Sequence, residues 1–145
     1  MSLSKLRKIN KKGVIFQSHI DGSSYELTPE NVVDTQNIIG SNIQMVLDEC
    51  TPFPSTYNDA EKSMKLSLDW AERARKTYLN SKNRSDAQFG IVQGSTYEGL
   101  RKKSAEETIN IDFDGYAVGG LAVGEGHHKM IEVLNYTVPM LPNEK

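Results

Sequence analysis

The sequence predicts an α/β protein: part of a (β/α) TIM barrel, with parallel strands joined by crossover helices and a β-hairpin near the N-terminus. Three observations carry this reading. Short apolar runs end in polar clusters at Asp48-Glu49-Cys50, Gln93-Gly94 and Gly119-Gly120-Leu121. Each run is followed by a pattern that fits a helix, and successive strand–helix units imply parallel strands with right-handed crossovers. Near the start, Asp21-Gly22 is a strong turn signal between two extended runs. The 145 residues are one domain by size. A complete (β/α)8 barrel takes about 250 residues, so the expected domain is an incomplete barrel over residues 1–145.

Each element has its own local signal. Met1–Lys12 is short and basic, and Leu3, Leu6 and Ile9 are spaced for one or two helical turns that Gly13 stops. Residues 14–20 read as a strand, with Ser24–Leu27 returning beside it after Asp21-Gly22. Thr28-Pro29 places an N-cap before a proline at the first helical position. Val32, Val33, Gln36 and Ile39 then give a partly apolar face, closed by Gly40. Ile43–Leu47 is a buried-strand candidate that delivers Asp48, and the turn Thr51-Pro52-Phe53-Pro54 follows. Met64, Leu68, Ala71 and Tyr78 fall on one face of a helix over residues 58–80. Phe89–Val92 is the next strand, with Ser95 and Glu98 in a capping-box pattern after it. Tyr116–Val118 is the third strand, and His127–Val138 is a last amphipathic helix broken by Pro139 and Pro142.

Composition narrows the function classes. A net charge of -2 gives no global positive field for nucleic acid or an anionic membrane, although Lys5, Arg7, Lys8, Lys11 and Lys12 form a local basic stretch. The lone cysteine, Cys50, excludes an internal disulfide and fits a reducing compartment. No apolar run approaches the roughly 18 residues of a membrane span, and the start lacks a signal-peptide core. The expected location is the cytoplasm.

Any chemistry sits at the strand ends. A carboxylate such as Asp48 at a strand mouth suits the N1–H and 2-amino edge of a guanine-type base; its bland role is to cap the following loop. The Gln93 amide suits the carbonyl edge of a heterocycle, against an orienting bond to a neighbouring strand end. Gly119-Gly120 leaves backbone N–H groups uncovered for a ligand carbonyl, or simply serves the strand-to-loop turn. Glu125 is placed to bond the Leu121 backbone and set which peptide group faces a ligand, or to sit at a helix N-terminus. Cys50 reads as a small buried hydrophobe rather than a nucleophile, and Glu49 as a partner for a basic residue elsewhere. Gly119–Glu125 lacks the G-x-G-x-x-G spacing, which excludes a nicotinamide cofactor. Adjacent His127 and His128 point in different directions, and His19 is far away, so no zinc site is expected within the chain. Phe53, Tyr57, Trp70, Tyr97 and Phe113 are scattered and read mostly as packing residues.

Four runs together carry a resemblance: residues 18–23 (SHIDGS), 48–54 (DECTPFP), 90–94 (GIVQG) and 115–125 (GYAVGGLAVGE). In this order, and across essentially the whole chain, they resemble the central part of bacterial queuine tRNA-ribosyltransferase, the tRNA-guanine transglycosylase family. The resemblance implies a zinc-containing TIM-barrel homodimer. It implies exchange of guanine for a 7-deazaguanine base such as preQ1 at the wobble position of tRNA, in queuosine biosynthesis. It also assigns substrate-binding roles. Asp48 and Gln93 match base-binding residues, and Gly120 matches a glycine whose N–H meets the base carbonyl. Cys50 matches a pocket cysteine, and Leu121 and Glu125 match a peptide switch that lets the pocket accept different bases.

The resemblance implies departures as well. The family's Asp-Ser-Gly-Gly-aromatic motif aligns ahead of Met1. Its nucleophilic aspartate, its basic tRNA-gripping segment and its Cys/Cys/Cys/His zinc ligands align after Lys145. No catalytic residue and no metal ligand are therefore expected in this chain, because Asp59, Asp69 and Asp86 belong to helices or loops by pattern. Three readings follow: a fragment inactive alone, one piece of a split enzyme completed by complementary barrel fragments, or a non-catalytic base- or tRNA-binding module.

Overall fold

A computed structural model describes residues 6–145 of the chain. Leu3 and Lys5 of the basic N-terminal stretch lie outside the described residues. The element order is β1 (Arg7–Asn10), β2 (Gly13–Gln17), β3 (Ser24–Leu27), α1 (Pro29–Ile39), β4 (Ile43–Met45), α2 (Tyr57–Asn80), β5 (Ala87–Val92), α3 (Glu98–Ile111), β6 (Gly115–Val118) and α4 (His127–Thr137), with a 3₁₀ turn at Val138–Met140. β1, β2 and β3 form an antiparallel sheet. β4, β5 and β6 form a parallel sheet in that order, with helices in the crossovers. This is the strand–helix alternation of a partial TIM barrel; the sheet does not close, and among the described residues β4 and β6 are its edges.

The N-terminus departs from the sequence reading. Residues 7–10 are a strand, not a helical turn, so the hairpin gains a third strand. Asn10 explains the change: its Oδ1 accepts from the Lys12 and Gly13 backbone N–H groups at 2.8 and 3.2 Å and closes a tight turn. A two-turn helix gains few hydrogen bonds for its nucleation cost, whereas a strand here finds a ready ladder. Gly13 is needed for another reason, since a Cβ there would lie 2.1 Å from the Leu27 carbonyl oxygen. The following strand stops at Gln17 rather than residue 20, because Ser18 bonds back to Ser23 and Gly22 and leaves Ile20 exposed in the turn.

The helices follow their signals closely. α1 begins in a reciprocal capping box between Thr28 and Asn31 and ends on left-handed Gly40, with Val33 buried. Ile39, read as part of its apolar face, is exposed. α2 buries Met64, Leu68, Ala71 and Tyr78, together with Trp70 and Ala74. The capping-box reading of Ser95 is wrong. The N-cap of α3 is Tyr97, without a side-chain cap, and Ser95 is a buried left-handed residue (φ 52°) inside the turn. Phe53 and Tyr57 are exposed rather than core residues.

The two faces of the parallel sheet differ. Gln44, Val46, Gln88 and Val92 are buried on the helix side, where Val33, Ala71, Ala74, Tyr78 and Phe113 complete the core. Gly90 lies on that side too: a Cβ there would meet the Phe113 ring at 2.4 Å, so only glycine lets α3 and its following loop approach. On the opposite face Ile43 and Met45 are exposed and Phe89 and Ile91 are half-buried. That face would line the barrel interior.

Candidate functional site

The parallel register sets the rim. β4 and β5 pair Met45 with Phe89, and β5 and β6 pair Val92 with Val118. Asp48, Gln93 and Gly119-Gly120 therefore leave the sheet at the same end, where strand C-termini gather polar groups. The Gln93 Nε2 donates to Asp48 Oδ2 at 2.5 Å. A Cβ on Gly119 would lie 2.7 Å from Gln93 Nε2 and 3.5 Å from Asp48 Oδ2. A Cβ on Gly120, at φ 66°, would lie 2.4 Å from Gln93 Oε1. The structure thus brings Asp48, Gln93 and Gly120 into one cluster.

The electrostatics of the cluster are particular. Gln93 is fully buried, its backbone N–H donates to Ser104 Oγ at 2.9 Å, and its Oε1 is left without a partner among the described residues. Gln44 and Gln88, buried on the helix side of the sheet, leave their Oε1 atoms unpartnered in the same way, so the orphaned atom does not by itself mark the site. Burial pushes the Asp48 carboxyl above its usual range, and the Gln93 hydrogen bond only partly offsets this. Beside Asp48 lies a cavity of about 260 Å³ lined by Arg7, Val14, Phe16, Leu27 and Leu47. The antiparallel sheet therefore walls one side of the site.

The remaining sequence candidates fall nearby, with corrections. Cys50 is exposed, not buried. The protein packed around its thiol pushes the thiol's pKa up, and the Asp48 charge adds to this, both disfavouring the thiolate. Glu49 holds its loop through its backbone: its N–H donates to Ser67 Oγ at 2.9 Å and its carbonyl accepts from Ser63 Oγ at 3.1 Å. Glu125 does not bond the Leu121 N–H. It accepts from the Ala122 N–H and, at 2.9 Å, from the Val123 N–H. Because the Ala122 N–H shares a peptide with the Leu121 carbonyl, that carbonyl is turned away from Glu125. Burial opposes the Glu125 charge, but backbone donors outweigh it and hold the carboxyl below its ordinary pKa.

Arg101 was not foreseen. It is fully buried on α3, and all its acceptors are carbonyls: Ser95 from Nε at 2.7 Å, Val92 and Gly119 from Nη1 at 3.0 and 2.7 Å, and Gly120 from Nη2 at 3.4 Å. Burial lowers its pKa to about 10. The one available signal was its place within the Leu100, Ser104, Ala105 and Thr108 stripe of the helix, all buried. A charge on a core stripe must meet dipoles or counter-charges.

Gly120 should tolerate no side chain. Gly120→Ala combines a left-handed backbone with a close contact to Gln93 Oε1, and such strain costs roughly 1–3 kcal/mol. We expect a correspondingly lower denaturation midpoint in urea, with Gly99→Ala, which meets nothing within 4 Å, as the control.

Fold and rim together define a partial (β/α) barrel with a polar cluster at its strand C-termini. The family model of queuine tRNA-ribosyltransferase matches residues 1–145, and the chain belongs to that family. It is 54% identical over 145 residues to the queuine tRNA-ribosyltransferase of Rickettsia bellii (strain OSU 85-389). It is 53% identical over the same length to those of Rickettsia rickettsii (strain Sheila Smith) and Rickettsia typhi (strain ATCC VR-144 / Wilmington). All of this chain is covered, against 40% of each relative, so the chain spans less than half the length of these curated relatives.

The zinc that the resemblance implies does not fit these residues. Among the described residues no three His, Cys, Asp or Glu side chains are grouped to hold a metal ion. His127 and His128 are exposed, their rings 6.5 Å apart and tilted. No described helix is long and apolar enough to cross a membrane.

Proposed function

We propose that this chain forms the base-reading wall of a tRNA-guanine transglycosylase, acting in the cytoplasm on tRNA in queuosine biosynthesis. The observation that carries the reading is the Asp48–Gln93 pair held against Gly120 at the strand C-terminal rim. In this reading the ionised Asp48 accepts from N1–H and the 2-amino group of guanine or a 7-deazaguanine such as preQ1. The second N–H of Gln93 Nε2 and the Gly120 N–H meet the adjacent 6-carbonyl, which needs donors. The Leu121–Ala122 peptide, oriented by Glu125, presents a carbonyl for one base and an N–H for another. Cys50 stands at the mouth. Attack on the ribose C1′ is assigned to an aspartate that none of this chain's residues matches, and in the family that chemistry is performed by a zinc-containing homodimer.

The test is titration of ¹⁵N-labelled chain with guanine, which should shift the Gln93 side-chain amide and the Gly120 N–H; absence of any shift sinks the reading. Base exchange separates recognition from catalysis. The chain alone should incorporate no labelled guanine or preQ1 into tRNA and form no covalent adduct. Turnover by the pure chain would overturn the assignment of the nucleophile elsewhere. Among the described residues β4 and β6 have unpaired outer edges and the inner face of the sheet is largely uncovered, surfaces that separate barrel fragments could cover; a second reading is therefore a split enzyme completed by such fragments. Turnover only after mixing with products of neighbouring reading frames would select it. Base or tRNA binding with no such complement would select a binding module instead.

A further inference from the structure

We propose that Arg101 is a positioning residue for base recognition: by gripping the Gly119 and Gly120 carbonyls, it turns the Gly120 and Leu121 N–H groups into the pocket. This deepens the base-pocket reading and rests on it. The argument is one of peptide geometry. In a trans peptide the C=O and the following N–H point in opposite directions, and the peptides joining Gly119, Gly120 and Leu121 are trans. Arg101 Nη1 holds the Gly119 carbonyl at 2.7 Å, so the Gly120 N–H faces away from the guanidinium. Nη2 reaches the Gly120 carbonyl at 3.4 Å and biases the Leu121 N–H in the same sense, more weakly. Among the described residues neither N–H donates to a protein acceptor.

The guanidinium is well suited to this. Its other bonds, to the Ser95 and Val92 carbonyls, fix its plane from the end of β5 and the turn that follows. Its charge has no carboxylate partner among the described residues, so it is spent entirely on orienting strand-end dipoles. The rim is therefore divided. Arg101 fixes the two peptides that meet an unchanging carbonyl, while Glu125 holds the next peptide, Leu121–Ala122, from the exposed side. A glycine at 120 follows from the same demand, since the backbone must reach φ 66° to present its carbonyl to Arg101.

The experiment compares binding of guanine with binding of 2-aminopurine, which keeps the 2-amino group but lacks both the 6-carbonyl and the N1–H, to wild-type chain, Arg101→Lys and Arg101→Met; the reading is how each substitution changes each affinity, since the N1–H difference is common to all three proteins. Circular dichroism confirms each fold. The wild type should prefer guanine. Arg101→Met should lose roughly tenfold in guanine affinity, the worth of one hydrogen bond, and keep its 2-aminopurine affinity. Arg101→Lys, which retains the charge and one donor direction, should fall between. If the wild type binds neither base, the pocket reading fails and this inference with it. If the wild type binds guanine and both folded variants keep its preference, Arg101 has no positioning role and the pocket reading stands. A parallel loss for both bases, or loss of fold in both variants, makes Arg101 a structural staple only and overturns the proposal.

Discussion

Asp48→Asn should lower guanine affinity by roughly ten- to a hundredfold while leaving the chain folded. A hydrogen bond to an ionised group is worth about 1.5–3 kcal/mol, and Asn replaces one of two acceptor oxygens with a donor aimed at the donors of the base. The pH profile gives an independent reading. Burial raises the Asp48 pKa, so guanine affinity should climb as pH rises through that value and flatten above it. In Asp48→Asn the profile should be flat over the same window. Stability should move the opposite way. A carboxyl whose folded pKa is raised costs the fold stability once it ionises: the cost is absent below the unfolded value and complete above the folded one. Asp48→Asn should therefore denature at the same or a higher urea concentration than wild type at neutral pH, and at no higher a concentration in acid. Isothermal titration and urea melts at paired pH values measure both. Unchanged guanine affinity in the variant would remove Asp48 from the pocket. A gain in stability joined to a loss of binding is the pattern of a functional carboxylate held in an unfavourable site.

Most of the architecture was legible in the sequence, because strong periodicity and end signals agreed. Thr28-Pro29 and Gly40 bracket α1 as expected, and the Met64, Leu68, Ala71 and Tyr78 stripe sits in the core. The meeting of Asp48 with Gln93 followed from strand order alone, since parallel strands put their C-termini on one rim. What was not legible depended on tertiary partners. Residues 7–10 fit a helical spacing and an extended one equally well over so short a run, and the Asn10 turn decided between them. Ser95 has the spacing of a capping box, but the buried Arg101 claims its carbonyl and the turn takes another path. Arg101 itself went unseen because arginine is ordinarily a surface residue. Its burial makes sense only once four carbonyls from three segments surround it. Glu125 meets the peptide that joins Leu121 to Ala122 through its N–H, and the further bond from the Val123 N–H is one that loop geometry sets and residue spacing does not.

Trp70→Ala should be the most destabilising single change in the chain, by about 3–5 kcal/mol, whereas Trp70→Phe should cost only about 1 kcal/mol. Trp70 is fully buried in α2, and its Nε1 donates to the Lys11 carbonyl at 2.9 Å, which ties the turn between β1 and β2 to the helix. Truncation to Ala removes the whole ring and leaves a cavity at the joint between the antiparallel sheet and the helical layer. Phe keeps most of that apolar volume and loses only the hydrogen bond. Even that loss is cushioned, because Arg73 Nη1 also donates to the Lys11 carbonyl at 2.9 Å and leaves it satisfied. The effect should reach the site. Val14, Phe16 and Leu27 of the antiparallel sheet line the cavity beside Asp48, so a loosened sheet removes one wall of the base pocket. Urea denaturation of both variants, with guanine titration under conditions where each remains folded, measures the two consequences. Equal midpoints for Ala and Phe would show that the hydrogen bond, not the packed ring, anchors the sheet. A folded Trp70→Ala chain with wild-type guanine affinity would show that the sheet plays no part in shaping the pocket.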